Sequence, residues 1–355
     1  MAVINDKTYS SELSQIKEKH INNFNLLKII GGIFNKMVRL LIKDMKILKE
    51  LDFNARQPIS KIAKKIGLSR EVTGYRIKQL EKKGIITGYY PIIDLNKLGY
   101  IYCRYSIELE KVGSEIEDKF IAFTKETPQL GWFVVKDNMN IGLSGFFKNI
   151  NEIKEVMNAM EKKFYSVIKT KKPTIAIKIY HFKRNYLYDT YDDEELVWGG
   201  EGLVKVDQKD THILHLLSED VKMQSTEISK MIGLTSMAVA SRIKRMEKEN
   251  LILGYRCALD LSKLGYSHHK VILYMENLSL SRKSTLIQFL RMNPNTVYIV
   301  EVLDNYDLEF EVNVKSIDHL YALMKKLRGE FPEIKSFESY PFFREEIIRY
   351  VPGEF

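Results

Sequence analysis

The strongest constraint on the fold of this chain is that its sequence contains the same segment twice. Residues 66–100 and 232–266 align without a gap, and about half of the aligned positions are identical. The similarity extends backwards, because Asp44 corresponds to Asp210. A solenoid would need shorter and more numerous repeats. The repeat therefore predicts two similar units, each long enough for a small helical domain and a separate α+β domain.

Length and composition narrow the class of protein. The chain has 355 residues, 45% hydrophobic and 28% charged, which is typical of a globular protein. Its formal net charge of +9 favours a polyanionic partner. Cys103 and Cys257 are too few for a disulfide framework or a four-thiolate zinc site, so we expect reduced thiols. His212 and His215 are spaced as a metal pair, but no other ligand accompanies them, so we expect neither metal nor cofactor.

The first 43 residues have no counterpart in the second copy. After Gly31 and Gly32, apolar residues recur at near-helical spacing, which predicts a helical extension that packs on its neighbours. An anchor on a membrane surface is the alternative. Basic side chains interrupt residues 26–42 too often for a bilayer span, and the start of the chain lacks a secretory pattern. We therefore expect a cytoplasmic protein with no membrane partner.

The first part of each unit has the pattern of three short helices. The second helix is predicted to begin at Ser60 and to end at Gly67, a residue that tolerates a left-handed conformation. Ser69 then caps a third helix that closes at Gly84. That helix buries one face: Thr73, Ile77 and Leu80. The second copy repeats the pattern with Thr226, Gly233, Thr235, Val239, Ile243, Met246 and Asn250. A tight turn before a capped helix predicts a helix-turn-helix.

The third helix of each unit is the predicted recognition helix, because this motif inserts that helix into the major groove of DNA. Both helices carry more basic than acidic residues, although charge alone is also typical of a solvated surface. The candidates for contacts with base edges are Ser69, Arg70, Glu71, Gly74 and Tyr75, and in the second copy Thr235, Ser236, Met237, Ala240 and Ser241. The candidates for phosphate contacts are Arg76, Lys78, Arg242 and Lys244.

Three further expectations concern these DNA-reading parts. The small residues Gly74 and Ala240 fit either a close approach to DNA or packing against another helix. Residues 85–93 and 251–259 are apolar extended segments, which predict a short wing in each unit. Since the two recognition helices carry different side chains, we expect a quasi-symmetric double-stranded DNA site rather than a perfect palindrome.

The second part of each unit alternates apolar and polar residues as strands do. In the first copy such a strand begins at Ile101, and the whole order is β-α-β-β-α-β; the second copy repeats it. This is the order of the ferredoxin-like fold, whose sheet is covered by helices on one face only. The open face needs a partner, so we expect the two sheets to pair within the chain or between two chains.

These patterns divide the chain into seven segments of an α+β protein. Residues 189–201 hold six acidic residues, no basic residue and a Gly-Gly pair, which predicts an exposed linker between the units. The predicted segments are an N-terminal helical extension (1–43), winged helix-turn-helix 1 (44–98), ferredoxin-like domain 1 (99–187), an acidic linker (188–205), winged helix-turn-helix 2 (206–264), ferredoxin-like domain 2 (265–347) and a tail (348–355).

Each copy resembles a full-length member of the Lrp/AsnC family of feast/famine transcriptional regulators. The matching segments are SKIAKKIGLS, YRIKQLEKKGIITGY and LNKLGY in one copy, and TEISKMIGLT, SRIKRMEKENLILGY and LSKLGY in the other. The resemblance covers residues 44–187 and 206–347. It implies a winged helix-turn-helix reader and the family's RAM domain, which dimerises and often binds an amino-acid effector between neighbouring dimers. The tandem fusion departs from the usual single copy and implies a covalent pseudo-dimer.

Two loops depart from the pattern of that family. Members usually carry a glycine, with aspartate two positions later, between the second and third RAM strands. Here the candidate effector residues at these positions are Asn138, Asn140, Asn305 and Asp307. Asparagine tolerates the turn, but amino-acid binding there is placed in question. In the wing, Thr87 and Leu253 stand where many members have a basic residue.

Two alternatives to a sequence-specific regulator stay open. Haem-pathway (sirohaem) decarboxylases share this architecture and present basic and histidine residues to a tetrapyrrole, whereas the matching segments here, residues 128–138 and 293–305, contain no histidine. His268 and His269 form a histidine pair in one copy only. The other alternative is an architectural protein that coats DNA without sequence preference.

Overall fold

The structure is a computed structural model of the chain. It describes residues 40–110, 113–136, 139–188, 191–304, 306 and 308–353. The predicted N-terminal extension lies outside these residues except for positions 40–43, and so do Asn138, Asn305 and Asp307. Within the described ranges, no helix combines the length and the apolar character that a membrane span requires.

Each unit contains three helices followed by a β-α-β-β-α-β domain, which confirms the predicted α+β class. The helices of the first unit are α1 (Ile42–Leu51), α2 (Ile59–Ile66), α3 (Arg70–Lys82), α4 (Ser114–Glu126) and α5 (Ile150–Phe164). Its strands are β1 (Ile86–Ile93), β2 (Ile101–Leu109), β3 (Leu130–Val135), β4 (Asn140–Phe147), β5 (Ile168–Phe182) and β6 (Glu195–Trp198). The helices of the second unit are α6 (Gln208–Glu219), α7 (Ser225–Ile232), α8 (Ser236–Lys248), α9 (Leu280–Arg291) and α10 (Ile317–Glu330). Its strands are β7 (Ile252–Leu259), β8 (Ser267–Met275), β9 (Thr296–Leu303), β10 (Leu308–Val314), β11 (Ile334–Pro341) and β12 (Arg344–Ile347).

The first three helices of each unit pack around a small apolar core. The residues predicted to face inward on the third helices are buried: Thr73, Ile77, Leu80, Val239, Ile243 and Met246. Burying one large aliphatic side chain contributes roughly 1.5–3 kcal/mol. The turn before each third helix is sharp because Gly67 and Gly233 both have a φ of 67°, as predicted. The fold of the three-helix part of each unit is therefore predictable from the local sequence.

The starts of the second helices differ from the prediction. α2 is preceded by Pro58 rather than capped by Ser60, because the proline ring already holds φ at −58° and the helix continues directly from it. α7 is preceded by Gln224 rather than Thr226, and the Gln224 N–H donates to the Glu227 carboxylate at 2.7 Å. Both helices thus begin one to two residues earlier than expected.

The two ferredoxin-like sheets are joined into one sheet of ten strands. β5 pairs with β2 along its first half and with β9 of the other unit along its second half. In the second unit β11 pairs with β8, and β12 then pairs with β3 of the first unit. Arg104 on β2 contacts Glu309 on β10, so the open faces of the two sheets lie against each other. Of the two arrangements that the sequence leaves open, the structure shows the pairing within one chain.

The two strands predicted to form the wings pair with each other. β1 and β7 run antiparallel, with Tyr89 opposite Cys257 and Pro91 opposite Tyr255. The loop after α1 adds to this pairing, since the Ala55 N–H donates to the Tyr255 carbonyl at 2.7 Å. The predicted extended segments are thus confirmed as strands, and this contact between the units explains their apolar character.

The acidic segment between the units is not exposed throughout, which corrects the prediction of an exposed linker. β6 pairs with β5, and Trp198 is 3% exposed. The next two residues are held by their backbone: the N–H groups of Gly199 and Gly200 donate to the Asp94 carboxylate at 3.1 and 3.2 Å. The sequence did not reveal β6, because its short apolar stretch follows a run of acidic residues.

A buried ionic cluster joins the two units, and we call Asp52, Arg184 and Arg256 the charged triad. Asp52 accepts hydrogen bonds from Arg256 Nε at 2.5 Å and from Arg184 Nη1 at 3.0 Å. Burial would raise the pKa of Asp52, but the charges of the two arginines and their hydrogen bonds hold it below its ordinary value. The repeat places tyrosines where the arginines would recur, and Tyr90 stacks on Tyr350 with ring centroids 5.0 Å apart. The two sides of the molecule are therefore held by different chemistry.

Candidate nucleic-acid interface

The two predicted recognition helices, α3 and α8, begin with the expected caps. The Ser69 hydroxyl accepts the Val72 N–H at 3.2 Å, and the Thr235 hydroxyl accepts the Ala238 N–H at 3.1 Å. A capped helix start satisfies one of the backbone N–H groups that the first turn leaves unpaired. The first turn of each helix is therefore well defined. In a helix-turn-helix, this turn of the recognition helix contacts the base edges in the major groove.

Most of the candidate base-contact residues are exposed. The exposed members of the candidate set are Ser69, Arg70, Glu71, Tyr75, Thr235, Ser236, Met237 and Ser241. Tyr75 is 64% exposed and Met237 is 81% exposed, which is unusual for side chains of this size in a folded domain. These surfaces are available to a partner.

The half-buried position Gly74 has no packing reason to be glycine. A Cβ added there would meet Ile59 Cδ1 at 3.8 Å, which is ordinary van der Waals contact. Its counterpart Ala240 is also half-buried. Of the two explanations for the small pair, packing within the domain does not require the glycine, so the close approach of a partner is favoured at Gly74.

Arg76 and Arg242 are held inside their own domains and not directed at a partner. Arg76 Nη1 lies 2.9 Å from the Asp44 carboxylate, and Arg242 Nη1 lies 2.8 Å from Asp207 and Asp210. Each ion pair ties the recognition helix to the start of the unit. We therefore revise the predicted role of both arginines from phosphate contact to positioning of the helix. Charge counting along a helix did not reveal this, because the acidic partner lies on another helix.

The remaining predicted phosphate contacts, Lys78 and Lys244, are exposed. Lys64 on α2 and Lys230 on α7 are also exposed and were not singled out in the sequence analysis. They occupy corresponding positions of the two copies, and the first helix of a helix-turn-helix crosses the DNA backbone. Comparing basic positions between the copies would have found them.

Arg70 and Glu71 place opposite charges side by side at the start of α3. Hydrogen bonding to its own backbone N–H and to the Ser69 hydroxyl lowers the pKa of Glu71, so this carboxylate is charged at neutral pH. A carboxylate is unfavourable next to phosphate but can accept a hydrogen bond from cytosine N4, whereas arginine can donate two to guanine. This first turn is suited to base edges rather than to the DNA backbone.

The two helical domains are held together as parts of one body. Besides the β1–β7 pairing, Arg56 Nη1 donates to the Met223 carbonyl at 2.7 Å. Lys222 Nζ lies 2.9 Å from the Glu81 carboxylate near the end of α3. Because these contacts run from one copy to the other, the positions of the two recognition helices are coupled.

Of the four predicted effector residues, only Asn140 lies in the described part of the chain. Asn140 is the first residue of β4, and its carbonyl accepts the Lys136 N–H at 2.9 Å. The other three lie outside the described residues. The effector role of this loop stays a prediction.

Sequence comparisons find DNA-binding regulators. The profile of the AsnC-type helix-turn-helix domain matches residues 206–247, and that of a winged helix-turn-helix DNA-binding domain matches residues 40–87. The chain is 35% identical over 142 residues to a proline dehydrogenase transcriptional activator of Rhodobacter capsulatus, a match that covers 38% of this chain and 88% of the activator. It is 42% identical over 62 residues to the HTH-type transcriptional regulator LrpA of Pyrococcus abyssi, which covers 18% and 44% of the two chains.

The structural comparison extends over both units. The crystal structure of the siroheme decarboxylase NirDL is similar with a TM-score of 0.58 at 13% sequence identity, covering 87% of this chain and 94% of that one. At this level of identity the likeness shows a shared fold and not a shared activity.

Proposed function

The chain belongs to the Lrp/AsnC family of transcriptional regulators, and from this premise we propose that it binds a quasi-symmetric site on double-stranded DNA with both recognition helices at once. That it is a DNA-binding regulator follows from its helix-turn-helix domains and its regulator relatives. The observation that carries the finer proposal is that two capped, exposed and different recognition helices belong to one body.

The difference between the helices lies at their exposed positions. Arg70 of the first copy corresponds to Ser236 of the second, and Tyr75 corresponds to Ser241. A homodimer presents two identical helices and so prefers a palindrome. This chain presents one helix of each kind, and the β1–β7 pairing keeps them together. Its preferred half-sites are therefore expected to differ in sequence at the positions read by these side chains.

Binding-site selection with the full chain tests this proposal. The selected sites are expected to contain two unlike half-sites at a constant spacing. The matched control is a variant in which α8 receives the outward residues of α3: Ser236→Arg, Met237→Glu and Ser241→Tyr. Its selected sites should shift towards a palindrome. If the unchanged chain selects only perfect palindromes, the proposal is wrong.

Competition with random DNA separates this proposal from non-specific coating. Specific regulators typically exceed their own non-specific affinity by about 10³-fold or more. We expect the selected site to survive competition at a corresponding excess of random DNA, measured at a stated salt concentration. A ratio near unity would instead support an architectural protein.

The enzymatic alternative, suggested by the similarity to siroheme decarboxylase NirDL, can be tested separately. The likeness covers most of both chains but is one of fold, and the sequence relatives described above are transcriptional regulators. Mixing the chain with sirohaem and recording the Soret band measures binding directly. A shifted band together with decarboxylated product would favour the enzyme, and an unchanged band would exclude that substrate.

A further inference from the structure

A cavity of about 240 Å³ lies between the open faces of the two ferredoxin-like sheets. Both units line it, and much of its wall is aromatic. The ring centroid of Tyr102 is 4.9 Å from that of Phe146 and 5.9 Å from that of Trp198, so three rings form a continuous apolar surface. The cavity extends to Ile347, which is exposed. It is therefore an apolar site with a route to solvent.

Three side chains of the cavity wall carry buried N–H or ring nitrogen atoms without a hydrogen-bond partner among the described residues. They are Nε and Nη2 of Arg104, Nε1 of Trp198 and Nδ1 of His181. Arg104 is 8% exposed and Trp198 is 3% exposed. Unpaired buried donors are rare in folded proteins because each one loses its hydrogen bonds to water. Their concentration in one cavity indicates that a ligand with acceptor oxygens completes them.

The acidic groups next to the cavity are already engaged. Glu309 accepts hydrogen bonds from Arg104 Nη1, from Lys270 at 2.9 Å and from Tyr306 at 3.0 Å. Glu311 lies 3.2 Å from Lys270 and 3.0 Å from His268. The remaining edge of the Arg104 guanidinium, with Nε and one Nη, is the edge that binds a carboxylate through two parallel hydrogen bonds.

We propose that this cavity is an effector site for a small carboxylic acid with an aromatic or similarly apolar body. The carboxylate binds the free edge of Arg104. The Nε1–H of Trp198 and the ring of His181, with its proton on Nδ1, donate the remaining hydrogen bonds, and the apolar body packs on the aromatic wall. Its volume of about 240 Å³ corresponds to about eight water molecules at ~30 Å³ each, which is room for such an acid. The site differs from the loops around Asn140 that the family resemblance implies.

The cavity also contacts the strand that leads away from a recognition helix. Tyr90, Pro91, Ile92 and Ile93 of β1 line it. β1 begins at Ile86, shortly after α3 ends at Lys82, and it pairs with β7 of the other unit. A ligand that packs on β1 therefore acts on the element that connects the two DNA-reading domains. This step rests on the proposed DNA-binding function, and the predicted result is a ligand-dependent change in DNA affinity.

Tryptophan fluorescence of the full chain tests the site directly. The sequence contains two tryptophans, Trp132 and Trp198, and both line the cavity. We expect benzoate, phenylacetate or 3-phenylpropionate, titrated to about 10 mM, to change the emission saturably. The matched amides lack the charge and should bind at least tenfold more weakly. Arg104→Met should weaken acid binding at least tenfold, whereas Arg282→Met, which removes a surface guanidinium paired with Glu333, should not.

A second variant keeps the test decisive if Arg104→Met does not fold. Trp198→Phe retains the aromatic wall, removes the Nε1 donor and leaves Trp132 as the reporter. It should weaken binding of the acid several-fold, and that of the amide by less, because a hydrogen bond to a charged acceptor is the stronger one. The inference is overturned if none of the three acids changes the emission, or if acid and amide bind equally. DNA affinity is measured in parallel: intact DNA binding without acid binding refutes this inference alone, whereas acid binding without DNA binding refutes the proposed function.

Discussion

Replacing Asp52 with asparagine is expected to destabilise the chain strongly, because it leaves two buried guanidinium groups without a counter-charge. The side chains of Asp52 and Arg256 are both 0% exposed, and that of Arg184 is 9% exposed. Asparagine has nearly the same shape, so the change removes charge and not packing. Breaking a buried ion pair by removing one partner costs about 3–5 kcal/mol. We expect the free energy of unfolding to fall by that amount.

Urea denaturation followed by tryptophan fluorescence measures this change. The matched control is Ser218→Ala, because Ser218 occupies the position of Asp52 in the other copy and is only half-buried. Its hydroxyl donates to the His215 carbonyl at 2.7 Å, so its loss should cost about 1 kcal/mol. If Asp52→Asn is no more harmful than Ser218→Ala, the charged triad does not hold the units together as described.

The same variant has a characteristic pH dependence. The pKa of Asp52 is lowered in the folded chain relative to its ordinary value of 3.8, so the unfolded chain binds this proton more readily. Asp52 therefore stabilises the fold above about pH 4, and this contribution is lost as the pH falls through the lower, folded pKa. The stability difference between the unchanged chain and Asp52→Asn should shrink as the pH falls from 7 towards 3. A difference that stays constant over this range would contradict the assignment.

The corresponding residues of the other copy suggest a combined substitution that should restore stability without the charged triad. There the repeat has Ser218, Tyr90 and Tyr350 in place of the three charged residues. The combined change Asp52→Ser, Arg184→Tyr and Arg256→Tyr copies that side. Replacing a buried ion cluster by well-packed neutral residues is often neutral or stabilising, so the triple variant should be more stable than Asp52→Asn alone.

Four further substitutions give expected outcomes. Arg70→Ala should relax base preference at one position of the site, with a loss of about 1–3 kcal/mol in discrimination. Lys78→Ala should lower the affinity for all DNA sequences and reduce the salt slope by about one; equal effects of both changes in a salt titration would contradict these roles. Gly145→Ala would place a Cβ in steric conflict with the Gln129 carbonyl oxygen and should lower the unfolding free energy by about 1–3 kcal/mol. Gly88→Ala, whose added Cβ meets no atom of the described residues within 4 Å, should change it by less than about 0.5 kcal/mol in the same urea assay.

Features that depend on a few neighbouring residues were predictable from sequence. Ser69 and Thr235 cap their helices as expected, and Gly84 and Asn250 both adopt a positive φ, of 63° and 54°. Such features need only the residue type and its place in a local pattern. Where two local signals compete the prediction was wrong, as at Ser60, because Pro58 starts the helix first.

Contacts between distant parts of the chain were not predictable in this way. The pairing of β1 with β7 and the ion pairs of Arg76 and Arg242 each need a partner that no local pattern specifies. Trp198 was assigned to a linker because acidic residues surround it, although its own burial depends on β5. The cavity at Arg104 likewise exists only once both sheets are in place. Periodicity identifies each strand but not which strand lies beside it.

The strands exchanged between the two sheets govern how this chain can fold as it is synthesised. The second half of β5 ends at Phe182, and its neighbour β9 is complete only at Leu303. At ~5–20 residues per second, the ribosome takes about 6–24 s to make the intervening chain. During that interval β5 has an unpaired edge, which is prone to aggregate. The first half of the nascent chain therefore stays incompletely folded until the ribosome has synthesised β9.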